Sequence, residues 1–242
     1  MTETARILAA GDRAVSVQFG DVIDPAVYAR VNALNARLKQ EKPAGLVETI
    51  PTFRSLMVQY DPLVLEYDRL EDLLWGMIRE MSEVAPPPKK VFTVPVCFGG
   101  SHGPDLADVA AYHGVEEEEI VRLFCSSEFL IYMLGFTPGY PYIGGVPAGL
   151  VTPRLDSPRV KVPTGAVGIG GEQLGIYPIE SPGGFRLVGN TPVKLYDPAK
   201  TENPVLLEAG AYIRFEAIGE EEYENIRRQV EEGSYVCRAE EG

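Results

Sequence analysis

Glycine and proline are concentrated in residues 135–192, and this stretch constrains the fold more than any other feature of the chain. It holds 13 of the 25 glycines and nine of the 20 prolines. Proline removes a backbone donor and glycine weakens a helix interior, so no long helix can run through the stretch. Short strands fit between these breaks and just beyond them, at residues 166–169, 175–179, 186–189, 193–196 and 212–217. Many short strands with such turns predict a closed or sandwich-like β-domain, followed by a final helix at Glu220–Val230.

A run of prolines marks a domain boundary. Residues 85–90 read Ala-Pro-Pro-Pro-Lys-Lys, and consecutive prolines hold an extended conformation that neither a helix nor a central strand can cross. We therefore predict a small domain over residues 1–85, a proline linker at 86–90, and a second domain over 91–242 that ends with the C-terminal helix.

The first domain shows a ββα pattern that occurs twice. Strands are expected at residues 6–10, 14–19, 46–50 and 56–60, which are short apolar runs bounded by turn residues. Asp24-Pro25 predicts the start of the first helix, with Asp24 as the N-cap and proline at the first helical position. Asp68 is expected to cap the second helix. The pattern predicts a small α+β layer with two helices on one face of a sheet.

The charge balance limits the partners. The chain has 22 Lys and Arg against 35 Asp and Glu, and the net charge of −13 argues against binding to nucleic acid or to anionic lipid. The uncharged apolar runs are shorter than the ~18 residues that a membrane span needs, and the polar start of the sequence shows no signal peptide. We expect a soluble, cytoplasmic protein.

The glycine-rich stretch differs in charge from the rest of the chain. Within residues 135–192, four bases outnumber three acids. The bases are Arg154, Arg159, Lys161 and Arg186. Two interpretations are open: a core with few charges of either sign, or a site for an anionic small molecule, because guanidinium groups bind carboxylate and phosphate through paired hydrogen bonds.

Familiar catalytic and metal-binding motifs are missing from the sequence. Gly168-Ile-Gly170-Gly171 resembles part of a phosphate loop, but no Gly-Lys-Ser or Gly-Lys-Thr follows it. Ser181 lacks the glycine two residues before it that a nucleophile elbow requires. Three widely spaced cysteines and two histidines predict neither a disulfide framework nor a metal site. No catalytic residue can be assigned.

Three strings in the second domain resemble a known family. They are Gly-Phe-Thr-Pro-Gly-Tyr-Pro-Tyr at 135–142, the Pro/Arg/Gly segment at 153–171, and Glu-Ser-Pro-Gly-Gly at 180–184. They resemble the family that contains the prokaryotic 5-oxoprolinase subunit PxpB, the Kip inhibitor of a sporulation histidine kinase (KipI) and allophanate hydrolase subunit 1, a module of the carboxyltransferase region of urea carboxylases. The resemblance implies an α+β protein with a small N-terminal ββα-ββα domain followed by a cyclophilin-like β-barrel. It does not imply prolyl isomerase activity, because function depends on the site.

The resemblance leaves two functions open. The first is a subunit of an ATP-dependent 5-oxoprolinase complex, inactive alone, that acts with the homologous partner subunit PxpC and with subunit PxpA. ATP is then the cofactor of the complex, and no ATP site on this chain is assigned. The second is a protein inhibitor of a sporulation-type sensor histidine kinase, which would dock on the helical dimerisation domain of the kinase.

Two groups of candidate site residues follow. Guanidinium groups and backbone amides would bind substrate or anion at Arg154, Arg159, Arg186, Gly168, Gly170, Gly171, Ser181, Gly183 and Gly184. The partner-docking or pocket-wall residues would be Phe136, Pro138, Tyr140, Tyr142 and Tyr177. We expect the three arginines to converge near the Gly168–Gly171 turn, and the loop with Tyr140, Tyr142 and Ile143 to be exposed and rigid.

Overall fold

A computed structural model of the chain describes residues 5–81 and 89–241. The chain divides into two compact units, Met1–Pro87 and Pro88–Gly242, which are called unit 1 and unit 2 below. The predicted linker prolines, Pro86–Pro88, lie outside the described residues, so the three-part division stays a prediction. In the part of the chain that the structure describes, no helix is long and apolar enough to cross a bilayer.

In residues 5–81, unit 1 contains a four-stranded antiparallel sheet and two helices. Its elements are β1 (Arg6–Ala9), β2 (Ala14–Gln18), α1 (Pro25–Glu41), β3 (Leu46–Pro51), β4 (Ser55–Tyr60) and α2 (Tyr67–Glu80), with the strands in the order β1-β2-β4-β3. Helix α1 begins where the sequence predicts, because Asp24 Oδ1 accepts hydrogen bonds from the amides of Ala26 (2.7 Å) and Val27 (3.2 Å). The predicted Asp68 cap is wrong: the chain is extended at Glu66 and already helical at Asp68.

The core of unit 1 follows the period of each element. Alternate residues of β2 and β4 are buried, as expected for a sheet with one covered face. The helices bury residues three or four positions apart. The buried side chains include Val15, Val17, Val31, Leu34, Leu38, Leu56, Val58, Leu70, Leu74 and Met77.

Unit 2 carries the glycine- and proline-rich stretch. Its elements are β5 (Lys90–Phe98), α3 (Leu106–His113), α4 (Glu117–Cys125), β6 (Glu128–Leu134), β7 (Pro141–Gly144), a 3₁₀ turn (Ala148–Leu150), β8 (Arg159–Val162), β9 (Ala166–Gly170), β10 (Gln173–Ile176), β11 (Ser181–Gly183), β12 (Arg186–Asn190), β13 (Tyr212–Ala217), α5 (Glu220–Glu231) and β14 (Ala239–Glu241).

Seven strands of unit 2 close into a barrel. They follow the order β12-β9-β10-β7-β6-β13-β5, and β5 pairs again with β12 to complete the circle. Neighbouring strands are antiparallel except β5 and β13, which run parallel with Val96 opposite Ala217. Strand β14 pairs with the other end of β5, and β8 and β11 form a separate two-stranded sheet. The chain is therefore a mixed α+β protein built on a closed seven-stranded barrel.

Three local predictions in unit 2 are wrong. The strand expected at 175–179 begins at Gln173 and ends at Ile176, two residues before Pro178, which has no amide for a ladder. Residues 193–196 form no strand, and only Tyr196 makes an isolated bridge, with Val205. The loop expected around Ile143 is in fact β7, which pairs with β6 and β10 and buries Ile143 completely.

Strands β9 and β10 separate two hydrophobic clusters. Alternate residues of these strands, Val167, Ile169, Leu174 and Ile176, belong to the main core, which also includes side chains of α3 and α4. Ala166 belongs to a second cluster, with Tyr140, Val162, Tyr177, Phe185 and Leu187. Because side chains alternate along a strand, Gly168, Gly170 and Gly175 fall on the face that carries this second cluster.

Candidate functional site

Five aromatic rings form a continuous group on the face of β9 and β10 away from the main core. This aromatic cluster consists of Phe136, Tyr140, Tyr142, Tyr177 and Phe185. Ring centroids lie 5.2 Å apart for both Tyr140–Tyr142 and Tyr140–Tyr177, and 6.4 Å apart for Tyr177–Phe185, all edge to face. Tyr140 and Tyr177 are buried, whereas Phe136 is 59% exposed. Of the residues predicted to dock a partner, only Phe136 and Pro138 are exposed; Tyr142 is half-buried.

Glycines create the space that the aromatic cluster occupies. A Cβ at Gly175 would overlap the Tyr140 hydroxyl, a Cβ at Gly170 the Phe185 ring, and a Cβ at Gly183 the Tyr177 hydroxyl. The absence of these side chains lets the rings lie against the backbone of the sheet. The glycine content of this stretch is therefore a packing requirement as well as a turn signal.

The two buried tyrosines remain protonated. Burial raises the pKa of Tyr140 far above its ordinary value. Burial also raises the pKa of Tyr177, and this effect is partly offset by hydrogen bonds with the Phe185 backbone and Tyr140 and by the charges of Arg154 and Arg159. Both hydroxyls can therefore donate hydrogen bonds at neutral pH but cannot serve as bases.

Arg159 forms an ion pair with a buried carboxylate of the protein. Its Nη2 lies 2.6 Å from Asp105 Oδ1, and the other carboxylate oxygen of Asp105 accepts a 2.6 Å hydrogen bond from the Leu187 amide. Asp105 is only 5% exposed. The pair joins the start of α3 to β8 and β12. Since one guanidinium edge is occupied by Asp105, Arg159 has less capacity for a ligand than its residue type suggests.

Arg154 and Arg186 have weaker partners. Arg154 lies over the Phe185 ring at 4.9 Å and donates to Gln173 Oε1 at 3.2 Å, and among the described residues no carboxylate pairs with it. Arg186 Nε donates to the Pro153 carbonyl at 3.0 Å, and its Nη1 lies 3.9 Å from the exposed Asp108 carboxylate. The three predicted arginines therefore lie in one region around Phe185. Its ring lies under Arg154, its carbonyl accepts a hydrogen bond from Arg159 at 3.4 Å, and Arg186 is the next residue in the chain.

The predicted glycine amides are largely used within the fold. Gly168 and Gly170 lie in β9, which pairs with β10 and β12 on its two sides. The Gly171 amide donates to the Thr152 carbonyl at 2.7 Å. Ser181 is buried, and its hydroxyl donates to the Ile179 carbonyl at 3.3 Å. Gly183 faces Tyr177, and the Gly184 carbonyl accepts from Leu155. This arrangement favours Arg154 and Arg186 over the glycines as groups that can meet a ligand.

A second polar cluster was not predicted from the sequence. Cys97, His102 and Glu220 bring a sulfur, an imidazole nitrogen and a carboxylate oxygen within 4.8 Å of one another. Burial and the Glu220 carboxylate raise the pKa of the Cys97 thiol. The sequence gives little signal for this cluster, because His102 and Glu220 are 118 residues apart.

The fold and the site define a class: a closed β-barrel domain that carries an aromatic cluster and arginines on a glycine-rich face, joined to a small α+β unit. The solved Kluyveromyces lactis urea amidolyase contains the same fold, with a TM-score of 0.80 over 98% of this chain and 16% of that chain at 22% identity. The family model described as "Carboxyltransferase domain, subdomain C and D" matches residues 5–207. The chain belongs to this family, as the three sequence strings predict.

Two bacterial relatives match over nearly their whole length. The 5-oxoprolinase B subunit of Bacillus subtilis is 35% identical over 95% of this chain and 99% of its own. The 5-oxoprolinase B subunit of Escherichia coli O157:H7 is 40% identical over 88% of this chain and 96% of its own. The resemblance to the family of these proteins is confirmed.

Proposed function

We propose that the chain is one subunit of an ATP-dependent 5-oxoprolinase complex, which hydrolyses the lactam of 5-oxoproline to glutamate. The observation that carries this proposal is the match to two 5-oxoprolinase B subunits, at 35% and 40% identity over nearly their full length. We infer further that the barrel is cyclophilin-like, that unit 1 is the small ββα-ββα domain of the family, and that the protein acts in the cytoplasm, where ATP is available.

We propose that the nucleotide of the complex does not bind at the Gly168–Gly171 run. A phosphate loop binds its ligand through free backbone amides in a glycine-rich loop at a helix N-terminus. In the described residues the Gly168–Gly171 run lies in a paired strand and its turn, and does not fit that requirement. We therefore expect this chain to be inactive alone.

Substrate recognition is proposed at Arg154 and Arg186. The carboxylate of 5-oxoproline remains charged throughout the reaction, and a guanidinium is well suited to bind it. Arg154 supports this role because its positive charge has no carboxylate partner among the described residues. The buried Tyr140 and Tyr177 hydroxyls lie close enough to Arg154 for its charge to lower their pKa values slightly, against the larger effect of burial. The two tyrosines would form the wall of the binding site beside Arg154.

Partner docking is proposed at Phe136 and Pro138. Phe136 has a φ of 64°, a left-handed conformation that costs free energy for a bulky residue, and the Thr137 amide closes the turn on the Gly135 carbonyl at 2.7 Å. The turn leaves Phe136 exposed with its ring edge-on to Tyr140 at 5.5 Å. An exposed aromatic ring on a rigid base is suited to a protein interface. The proposed partners are the PxpC and PxpA subunits.

Arg154→Ala and Arg186→Ala are each expected to lower 5-oxoproline turnover by the assembled complex about ten- to a hundredfold, with little change in melting temperature. The reason is the loss of one charged hydrogen bond to the substrate, worth about 1.5–3 kcal/mol. Steady-state kinetics of the complex would measure the change in 5-oxoproline turnover. Lys200→Ala, which removes an exposed positive charge elsewhere, is the matched control. Full activity in both arginine variants would refute the proposed anion site.

A further inference from the structure

The parallel pairing of β5 and β13 brings three potential metal ligands to one edge of the barrel. Because the strands run parallel, both end at the same edge. Cys97 lies at the end of β5, and Glu220 begins α5 just after β13. After β5 the chain turns back at Gly99 and Gly100, which have positive φ angles of 70° and 52°, and this turn places His102 at the same edge.

We propose that Cys97, His102 and Glu220 bind one zinc-class divalent cation through Sγ, an imidazole nitrogen and a carboxylate oxygen. Glu220 Oε2 lies 2.8 Å from His102 Nε2 and 3.9 Å from Cys97 Sγ. Tetrahedral zinc with these ligands places its donor atoms about 3.3–3.6 Å apart. The exposed Glu220 side chain can adjust its own two distances by less than about 1 Å. The donor atoms of Cys97 and His102 lie within 4.8 Å of each other, so those two side chains must approach by at most about 1.2 Å.

The type and number of the donors select the cation. A thiolate and an imidazole suit zinc and related transition metals, whereas magnesium and calcium prefer oxygen ligands. On binding, the Cys97 thiol releases its proton to solvent and coordinates as the thiolate. Three protein ligands would leave the fourth position of a tetrahedral zinc ion for a water molecule or another ligand.

Neighbouring groups hold the imidazole in place. The Tyr223 ring lies 4.3 Å from the His102 ring, and the Tyr223 hydroxyl donates to Asn190 Oδ1 at 2.8 Å. Asn190 in turn donates to the Thr164 carbonyl at 3.0 Å and lies opposite Cys97 in the strand pairing. A Cβ at Gly103 would overlap the Val188 carbonyl, so the His102 loop packs closely on β12. These contacts restrict the position of the His102 ring beside Cys97 and Glu220.

The electrostatic surroundings also favour a cation. Residues 216–242 contain nine glutamates and three arginines, so this end of the chain is strongly acidic. Acidic surroundings raise the local concentration of a dication. This inference is independent of the proposed 5-oxoprolinase function, because it concerns metal binding by the chain itself.

The test is cobalt and zinc binding by the purified full chain, without a polyhistidine tag and after chelation. Cobalt is expected to bind one per chain, with the charge-transfer band of a thiolate ligand in the near ultraviolet, and zinc is expected to displace it. Cys97→Ser should remove the band, and His102→Gln and Glu220→Gln should each weaken binding at least about tenfold. Glu220 is exposed, so its variant tests the site without a risk to folding.

The chain supplies matched controls for each ligand. Each control removes a thiol, an imidazole or a carboxylate outside the proposed site, and should leave the cobalt spectrum and the cobalt affinity unchanged. The controls are Cys125→Ser, His113→Gln and Glu221→Gln. The proposal would be overturned by any of three results. These are cobalt binding with no thiolate band, cobalt binding that Glu220→Gln and His102→Gln leave unchanged, and the absence of stoichiometric binding.

Discussion

Replacing Arg159 with Met is expected to destabilise unit 2 by about 3 kcal/mol or more. The Asp105 carboxylate is buried, and Arg159 neutralises it at 2.6 Å. Without the guanidinium, the buried negative charge keeps, within the described residues, the hydrogen bond from the Leu187 amide as the one remaining partner of the Asp105 carboxylate. Removing one partner of such a pair costs far more than removing both. Asp105→Asn should therefore restore part of the stability in the Arg159→Met background, because Asn can still accept from Leu187.

Urea unfolding followed by near-ultraviolet circular dichroism of the tyrosines measures this effect. The single tryptophan, Trp75, lies in α2, so its fluorescence reports on unit 1 and should show an unchanged transition if the units unfold independently. Arg186→Met is the matched control and should cost below about 1 kcal/mol, since its carboxylate partner among the described residues is the exposed Asp108 at 3.9 Å. Equal stability of the Arg159 and Arg186 variants would mean that the Asp105 pair is not structural.

Gly175→Ala is expected to cost about 3 kcal/mol, at the upper end for an overpacked core. The new Cβ would overlap the Tyr140 hydroxyl, and Tyr140 is 3% exposed and held between the rings of Tyr142 and Tyr177. The ring therefore cannot move aside without disturbing the aromatic cluster. Near-ultraviolet circular dichroism and urea unfolding would measure the loss.

Two further variants show whether the cost comes from this contact. Gly175→Ala combined with Tyr140→Leu should be less destabilised than the sum of the two single variants, because the smaller side chain removes the overlap. Gly76→Ala adds a Cβ in α2 that meets no neighbouring atom, and should instead stabilise unit 1 by about 0.5–1 kcal/mol. Strict additivity of the Gly175 and Tyr140 variants would contradict the packing account.

Local features of the fold are readable from the sequence where they depend on neighbours in the chain. Asp24-Pro25 predicts the start of α1 because an N-cap acts within three residues. The closed β-domain is predicted from turn residues, but the sequence predicts a loop in place of β7 and places β10 at residues 175–179. Strand β10 ends before Pro178, a local signal, whereas β7 is a strand because it pairs with β6 and with β10, which is distant in the sequence.

Residues of the site are predicted from local motifs, whereas their contacts with residues distant in the sequence are not. The motifs identify the arginines and the aromatic residues, and the structure brings them together around Phe185. The partner of Arg159 is not predictable, because Asp105 lies 54 residues earlier in a segment with no apparent link to it. Likewise, Cys97 and Glu220 meet only because β5 and β13 pair in parallel.

The most direct test of the central claim is ATP-dependent hydrolysis of 5-oxoproline, measured with this chain alone, with its partner subunits alone, and with all subunits combined. The account predicts glutamate formation and ATP hydrolysis only in the complete mixture, and background rates in the other two. Full activity from the isolated chain, or from the partners without it, would contradict the account. Inhibition of sensor kinase autophosphorylation by the chain, in place of activity in the complete mixture, would instead support the kinase-inhibitor alternative.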